Sequence, residues 1–304
     1  MKKYKKNLLI IVDGTNYLYR SYFAFKNFKN KKEEPIGVIY GTLIMLKKIF
    51  NKYNPKKIII VFDHKKKTFR NKIYKKYKSN RQNIPLDLKK QIKNVKKIIK
   101  YIGIPILKIP GFEADDIIGT LSKRYFKYIK KILILTNDKD MTQLINKNVK
   151  ILDNNSKIIG KKEVIKKYGV KPKLIKYFLA IVGDRSDNIP GIPGIGIKTT
   201  QKILKKFKSL KDIYKNLKKL KFLNIRNSIK LKNIFKKNKK IAFLSYSLTK
   251  IKTNIKNKKL NKKFKLKKPK CKKIFKYFKK NNLKKLKQSF KNSNWFKKLL
   301  KKNI

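Results

Sequence analysis

The chain has 304 residues, 41% of them hydrophobic, and a formal net charge of +73 from 88 Lys and Arg against 15 Asp and Glu. That is enough apolar material for one large domain or two ordinary ones, and the positive excess points to a polyanionic partner. A single cysteine and a single histidine exclude a disulfide framework and Cys-based or His-rich zinc sites, and disfavour a His-dependent triad. The charge is discounted by its make-up. Only six basic residues are Arg, and Lys, Asn, Ile, Tyr and Phe abound as in an A+T-rich gene, so many lysines read equally well as a solvated face.

The basic N-terminus is followed by an apolar run, Leu8 to Val12, too short for a signal sequence and broken at once by Asp13 and Gly14. No run approaches the roughly 18 residues of a membrane span. Leu8 to Val12, Ile58 to Phe62 and Ile132 to Leu135 read as buried parallel strands. Helical spacing recurs over Gly37 to Phe50, Leu88 to Tyr101 and Ala114 to Tyr128. The predicted fold is α/β, with a mostly parallel central sheet flanked by helices. Between Asp63 and Pro85 the sequence turns polar and basic, with Arg70, Tyr77, Lys78 and Arg81 among aromatic positions, and is expected to leave the core. Helical patterns replace strands from about Lys171, and no acidic residue follows Asp212, although Cys271, Ile274, Phe275 and Phe278 keep a helical beat.

Nine of the 15 acidic residues fall in five short clusters: Asp13; Asp63; Glu113, Asp115 and Asp116; Asp138 and Asp140; Asp184 and Asp187. Asp13 and Asp63 directly follow the first two predicted strands, and Asp138 and Asp140 lie just past the third. In open α/β sheets ligands bind outside the carboxyl ends of the strands, so these residues should meet at one rim. Gathered carboxylates resist ionising unless a cation sits among them, and hard divalent ions such as Mg2+ answer that need. GFEADD (111–116) opens a predicted helix with three carboxylates at its N-terminus. Glu113 and Asp116 share a face, while Asp115 points elsewhere. The Gly-rich run Ile189 to Thr200 is either a plain turn or a hairpin whose following helix offers N-terminal amides to phosphate.

Together these strings resemble, across nearly the whole chain, the 5'-3' exonuclease (flap endonuclease) domain found at the N-terminus of bacterial DNA polymerase I. The matching segments are VDGTNYLYR (12–20), GVIYGTLIML (37–46), VFDHKKKTFR with YKSNR (61–81), GFEADD, LTNDKD (135–140) and GDRSDNIPGIPGIGIKT (183–199). The resemblance implies a nuclease core of the kind PIN domains and Rossmann-like folds share over residues 1–180, with a helical arch at about 64–90. It further implies a helix-hairpin-helix DNA-binding region over 181–265 and a lysine-rich helical tail over 266–304. All nine acids would serve two Mg2+ ions, which Mn2+ could replace: Asp13, Asp63, Glu113 and Asp115 at the first, and Asp116, Asp138, Asp140, Asp184 and Asp187 mainly at the second. Lys78 and Arg81 would contact phosphate, Arg20 and Arg70 match basic positions of the family, and Tyr77 would stack on a base or else pack at the arch base. Gly191, Gly194, Gly196, Lys198 and Thr199 would hold duplex DNA, with a K+ ion at the hairpin.

The implied activity is 5'-3' exonucleolytic and 5'-flap cleavage of double-stranded, nicked or flapped DNA, and of RNA annealed to DNA, in primer removal and repair. A stand-alone, monomeric, cytoplasmic protein beside the nucleoid is expected, with no membrane association and with a separate DNA polymerase and ligase completing the work. Two rivals stand against this reading: a PIN-type ribonuclease, usually about half this length, and an inactive DNA-binding scaffold, against which the complete set of nine acids argues.

Overall fold

The computed structural model describes residues 7–225, 228–261 and 264–301. Strand β1 (Leu8–Asp13) is buried along its whole length and lies between two parallel partners, β2 (Lys57–Val61) and β4 (Lys131–Leu135). β3 (Ile106–Leu107) extends the sheet beyond β2, β5 (Val149–Leu152) pairs parallel with β4, and β6 (Ile158–Ile159) closes the far edge antiparallel, giving the order β3-β2-β1-β4-β5-β6. The three predicted strands are present, and three shorter ones join them.

Both faces of the sheet are covered, which is why its strands are continuous Ile, Leu and Val runs rather than alternating ones. Ile10 and Val12 face a core shared with helices α1 (Gly14–Ala24), α2 (Gly37–Tyr53) and α4 (Leu86–Ile102), α3 being the short Phe69–Ile73. Leu9 and Ile11 face the opposite core, built with α5 (Ala114–Tyr125) and, past α6 (Lys161–Tyr168), with α7 (Ile175–Val182) and α8 (Ile197–Lys206). Helices α9 (Leu210–Lys215), α10 (Ser228–Lys237) and α11 (Lys239–Thr249) complete that side, and the Tyr177 and Tyr246 rings stack at 5.1 Å between α7 and α11. Among the described residues no helix is long and apolar enough to cross a membrane.

One segment differs from its predicted form. The excursion after Asp63 contains one five-residue helix, α3, followed by turns over 75–80, and the rest of 64–85 is irregular until α4 begins at Leu86. The tail forms α12 (Cys271–Lys280), α13 (Lys284–Asn292) and α14 (Asn294–Lys301), whose apolar faces join the core over α2 and α4. Its lysines are the solvated side of three amphipathic helices.

Candidate active site

The chain runs outward from β1 through β2 to β3, then returns past β1 to β4. The crevice at the carboxyl ends of β1 and β4 is therefore the topological switch point, where open α/β sheets bind ligands. Asp13 ends β1 and caps α1: one oxygen accepts the Asn16 amide at 3.0 Å and the other the Thr136 hydroxyl at 2.9 Å. Asp63 follows β2 and accepts the Ala114 amide at 2.7 Å, which ties the β2 exit to the N-terminus of α5. Asp138, past β4, accepts the Asp140 amide at 2.8 Å, while its own amide donates to the Thr136 hydroxyl.

These elements enclose a cavity of about 260 Å³ lined by Asp13, Asp63, Glu113, Asp115 and Asp138, by Thr15, Asn16 and Tyr19, and by Lys78 and Arg81 from the arch. Burial pushes Asp13 up to about 7, with Asp63 and Asp138 adding repulsion. Burial also raises Asp115 well above the usual carboxylate range, reinforced by Asp138 and Asp13, and Asp138 is raised by burial and then by Asp187. Asp140 is raised likewise, and its buried Oδ1 has no hydrogen-bond partner. Crowded oxygen-only acids of this kind fit a hard divalent cation. Among the described residues no three His, Cys, Asp or Glu stand close enough to grip an ion outright.

The arch docks onto a second acidic loop. Gly183 and Gly191, both at positive φ, approach so closely that a Cβ on Gly191 would meet the Gly183 nitrogen at 2.5 Å. This contact closes the loop carrying Asp184 and Asp187. The Lys78 amide donates to the Asp187 carbonyl at 3.0 Å, and Asn188 reaches back to the Lys76 carbonyl at 2.9 Å. The Lys78 ammonium lies 2.9 Å from Glu113 and 3.5 Å from Asp187, and Arg81 pairs with Asp187 at 2.5 Å. Asp184 pairs with Lys139 at 2.8 Å; its pKa falls because Lys139 and Ser186 outweigh burial.

Several predicted site residues sit elsewhere. Tyr77 is only 4% exposed, packed with Ile189 and Leu248, and its hydroxyl donates to Glu113 at 3.1 Å, so it is not presented for stacking on a base. Arg70 and Asp116 are buried against each other, away from the cavity lining. Arg20 binds Asn154 past β5, at 2.6 Å, and lines a different cavity between α1 and α2. In the hairpin Gly191 is buried, whereas Gly194, Gly196 and Lys198 are exposed and Thr199 half-buried at the start of α8. His64 is outside the acid cavity. Thr136, Tyr19 and Lys139 were missed; only the hydroxyl two positions before Asp138 and the cation between two acids offered a hint.

A doubly covered sheet with an acid-rimmed switch point, a cationic arch and a Gly-rich hairpin is the architecture of a nuclease core. Residues 8–169 match the family described as "5'-3' exonuclease, N-terminal resolvase-like domain", and 170–272 match "5'-3' exonuclease, C-terminal SAM fold". The chain belongs to the 5'-3' exonuclease family. It is 48% identical to a 5'-3' exonuclease of Buchnera aphidicola (subsp. Acyrthosiphon pisum) over 84% of this chain and 90% of that one. It is 44% identical to one of Aquifex aeolicus over 69% and 73%. Against the thermostable DNA polymerase I of Thermus thermophilus the identity is 37% over 74% of this chain and 27% of that longer protein. The fold is similar to that of the bacteriophage T5 flap endonuclease in a pseudo-enzyme-product complex with DNA and metal ions (TM-score 0.69, 23% identity, 81% and 90% covered). It is also similar to that of the Rad2 catalytic core with DNA substrate (0.62, 16%, 92% and 89%).

Proposed function

We propose that the protein hydrolyses phosphodiester bonds near the 5' ends of double-stranded, nicked or flapped DNA, and of RNA annealed to DNA. The observation that carries this is the acid cavity: five carboxylates from four parts of the chain face two arch cations across a space of about 260 Å³. Asp13, Asp63, Glu113, Asp115 and Asp138 would hold two divalent ions, Mg2+ or Mn2+, with Asp140, Asp184 and Asp187 supporting from the adjoining loops. When bound, the ions would activate a water and neutralise charge on the scissile phosphate and leaving oxygen. Lys78 and Arg81, at the cavity edge, would exchange carboxylate partners for the phosphate and draw the strand end inward. Gly194, Gly196, Lys198 and Thr199 would hold the duplex backbone, with a K+ ion at the hairpin. The expected setting is a cytoplasmic monomer working alongside DNA polymerase and ligase activities.

The test is Mg2+-dependent cleavage of labelled 5'-flapped and nicked duplexes beside a matched single-stranded RNA. Short 5' products from the duplexes, abolished by EDTA and by Asp138→Ala, are expected. Cleavage of the RNA alone would replace this reading with a ribonuclease, and duplex binding without cleavage would leave a scaffold.

The acid cavity also sets a pH dependence. Asp13 titrates at about 7 folded against an unfolded value near 3.8, so the metal-free protein holds this group's stabilisation below about pH 4 and loses it as pH rises through 7. A divalent ion competes with those protons. The rise in Tm on adding Mg2+ is therefore expected to be larger at pH 8 than at pH 6. An equal rise at both, by differential scanning fluorimetry, would contradict the assignment of Asp13.

A further inference from the structure

Arg70 is 2% exposed in a chain whose other cations mostly face water. Its Nε donates to the Leu248 carbonyl at 2.7 Å. One terminal nitrogen serves Glu113 at 3.0 Å and Asp116 at 2.7 Å; the other serves Asp116 at 2.8 Å and the Lys250 carbonyl at 3.0 Å. A guanidinium has five N–H donors, and all five are used, so none is left for a phosphate. Asp116, 0% exposed, is equally saturated. Besides Arg70 it accepts the amides of Lys252 at 2.8 Å and Glu113 at 3.4 Å, filling the four lone-pair sites a carboxylate offers.

The pair joins α3 at the arch entry, the acidic end of α5 and the exit of α11, segments up to 180 residues apart in sequence. We propose that Arg70 and Asp116 are positioning residues that lock these three segments together and so aim Glu113 and Asp115 into the cavity, touching neither substrate nor metal. The role rests on the nuclease reading above. It differs from a phosphate contact or a metal ligand in ways that can be measured.

Arg70→Gln and Asp116→Asn are compared with the full-length protein in flap cleavage, in duplex binding between about 50 and 200 mM salt, and in hydrogen exchange at 250–255. Both variants are expected to lower kcat about 10- to 100-fold with KM within about threefold. The slope of log binding against log salt should stay unchanged while exchange at Lys252 accelerates. Their effects should be non-additive in the double variant, since they act as one unit. If Arg70→Gln does not fold, Arg70→Lys, which keeps charge but not five donors, is expected to show the same exchange and kcat pattern. A salt slope shallower by about 0.9 with normal exchange would make Arg70 a phosphate contact and overturn the proposal. Loss of Tb3+ luminescence binding in Asp116→Asn with normal exchange would make Asp116 a ligand and overturn it too. A wild-type protein that cuts nothing would fail the nuclease reading itself, visible in that control alone.

Discussion

Asp115→Asn is expected to lower Mg2+-dependent flap cleavage by about 10³-fold, the scale seen when one preorganised electrostatic contact to a transition state is removed. It is also expected to make the metal-free protein more stable at alkaline pH. Both effects have the same source. Asp115 projects from the first turn of α5 into the cavity, where burial, then Asp138 and Asp13, raise it well above an ordinary carboxylate. A raised folded pKa means stability that is present at low pH and lost as pH climbs and the group ionises among like charges. The amide keeps the shape and removes the charge. At pH 9 without divalent ions the variant's Tm should exceed that of the unaltered protein, and Mg2+ should reverse the order, since the variant has lost part of what binds it. Function held at a cost in stability is a common trade at such sites. A variant that cleaves within tenfold of the unaltered rate would remove Asp115 from the active machinery.

The contrast between Asp115 and its neighbour Asp116 marks how far the sequence can be read. Acids were scarce enough in a lysine-rich chain for their clustering to stand out, and the strands before Asp13, Asp63 and Asp138 were long enough to be recognised as buried runs. Glu113 and Asp116 do share a face that meets Arg70, but Glu113 also reaches the cavity, where Asp115 joins it and Asp116 does not. What decides this is the carbonyls of Leu248 and Lys250, supplied from more than 170 residues away, which no local spacing records. The same holds for Tyr77. An aromatic beside cations reads as a stacking platform, yet Ile189 and Leu248 bury it and its hydroxyl serves Glu113. β3 and β6 were missed because two residues carry no periodicity, and four-residue β5 because Lys150 interrupts it. Their pairing is dictated by β2 and β4, not by their own sequence.

The C-terminal helices show the opposite case, where charge concealed packing. Trp295 stacks on Phe50 with ring centroids 4.4 Å apart, Phe290 and Phe296 meet it edge to face, and Phe278 packs edge to face on Phe290. All are buried, and the four rings besides Phe50 lie beyond residue 272, where the family match ends. Phe50 is on the last turn of α2, which leads to the amino end of β2, so this contact sits at the end of the sheet opposite the acid rim. Trp295→Ala should therefore cost about 3–5 kcal/mol through lost contact and residual cavity. At roughly 2–4 °C per kcal/mol for a domain of 150–250 residues, that is a fall in Tm of about 10 °C. Cleavage per folded molecule should be unchanged at a temperature where both proteins are folded. Trp295→Phe should be far milder, because it keeps the stacking face and removes an indole N–H that is buried without a partner. Thermal melts of the two variants beside the unaltered protein decide this: a Tm within 2 °C for Trp295→Ala would mean the helices over 271–301 add nothing to the core they cover.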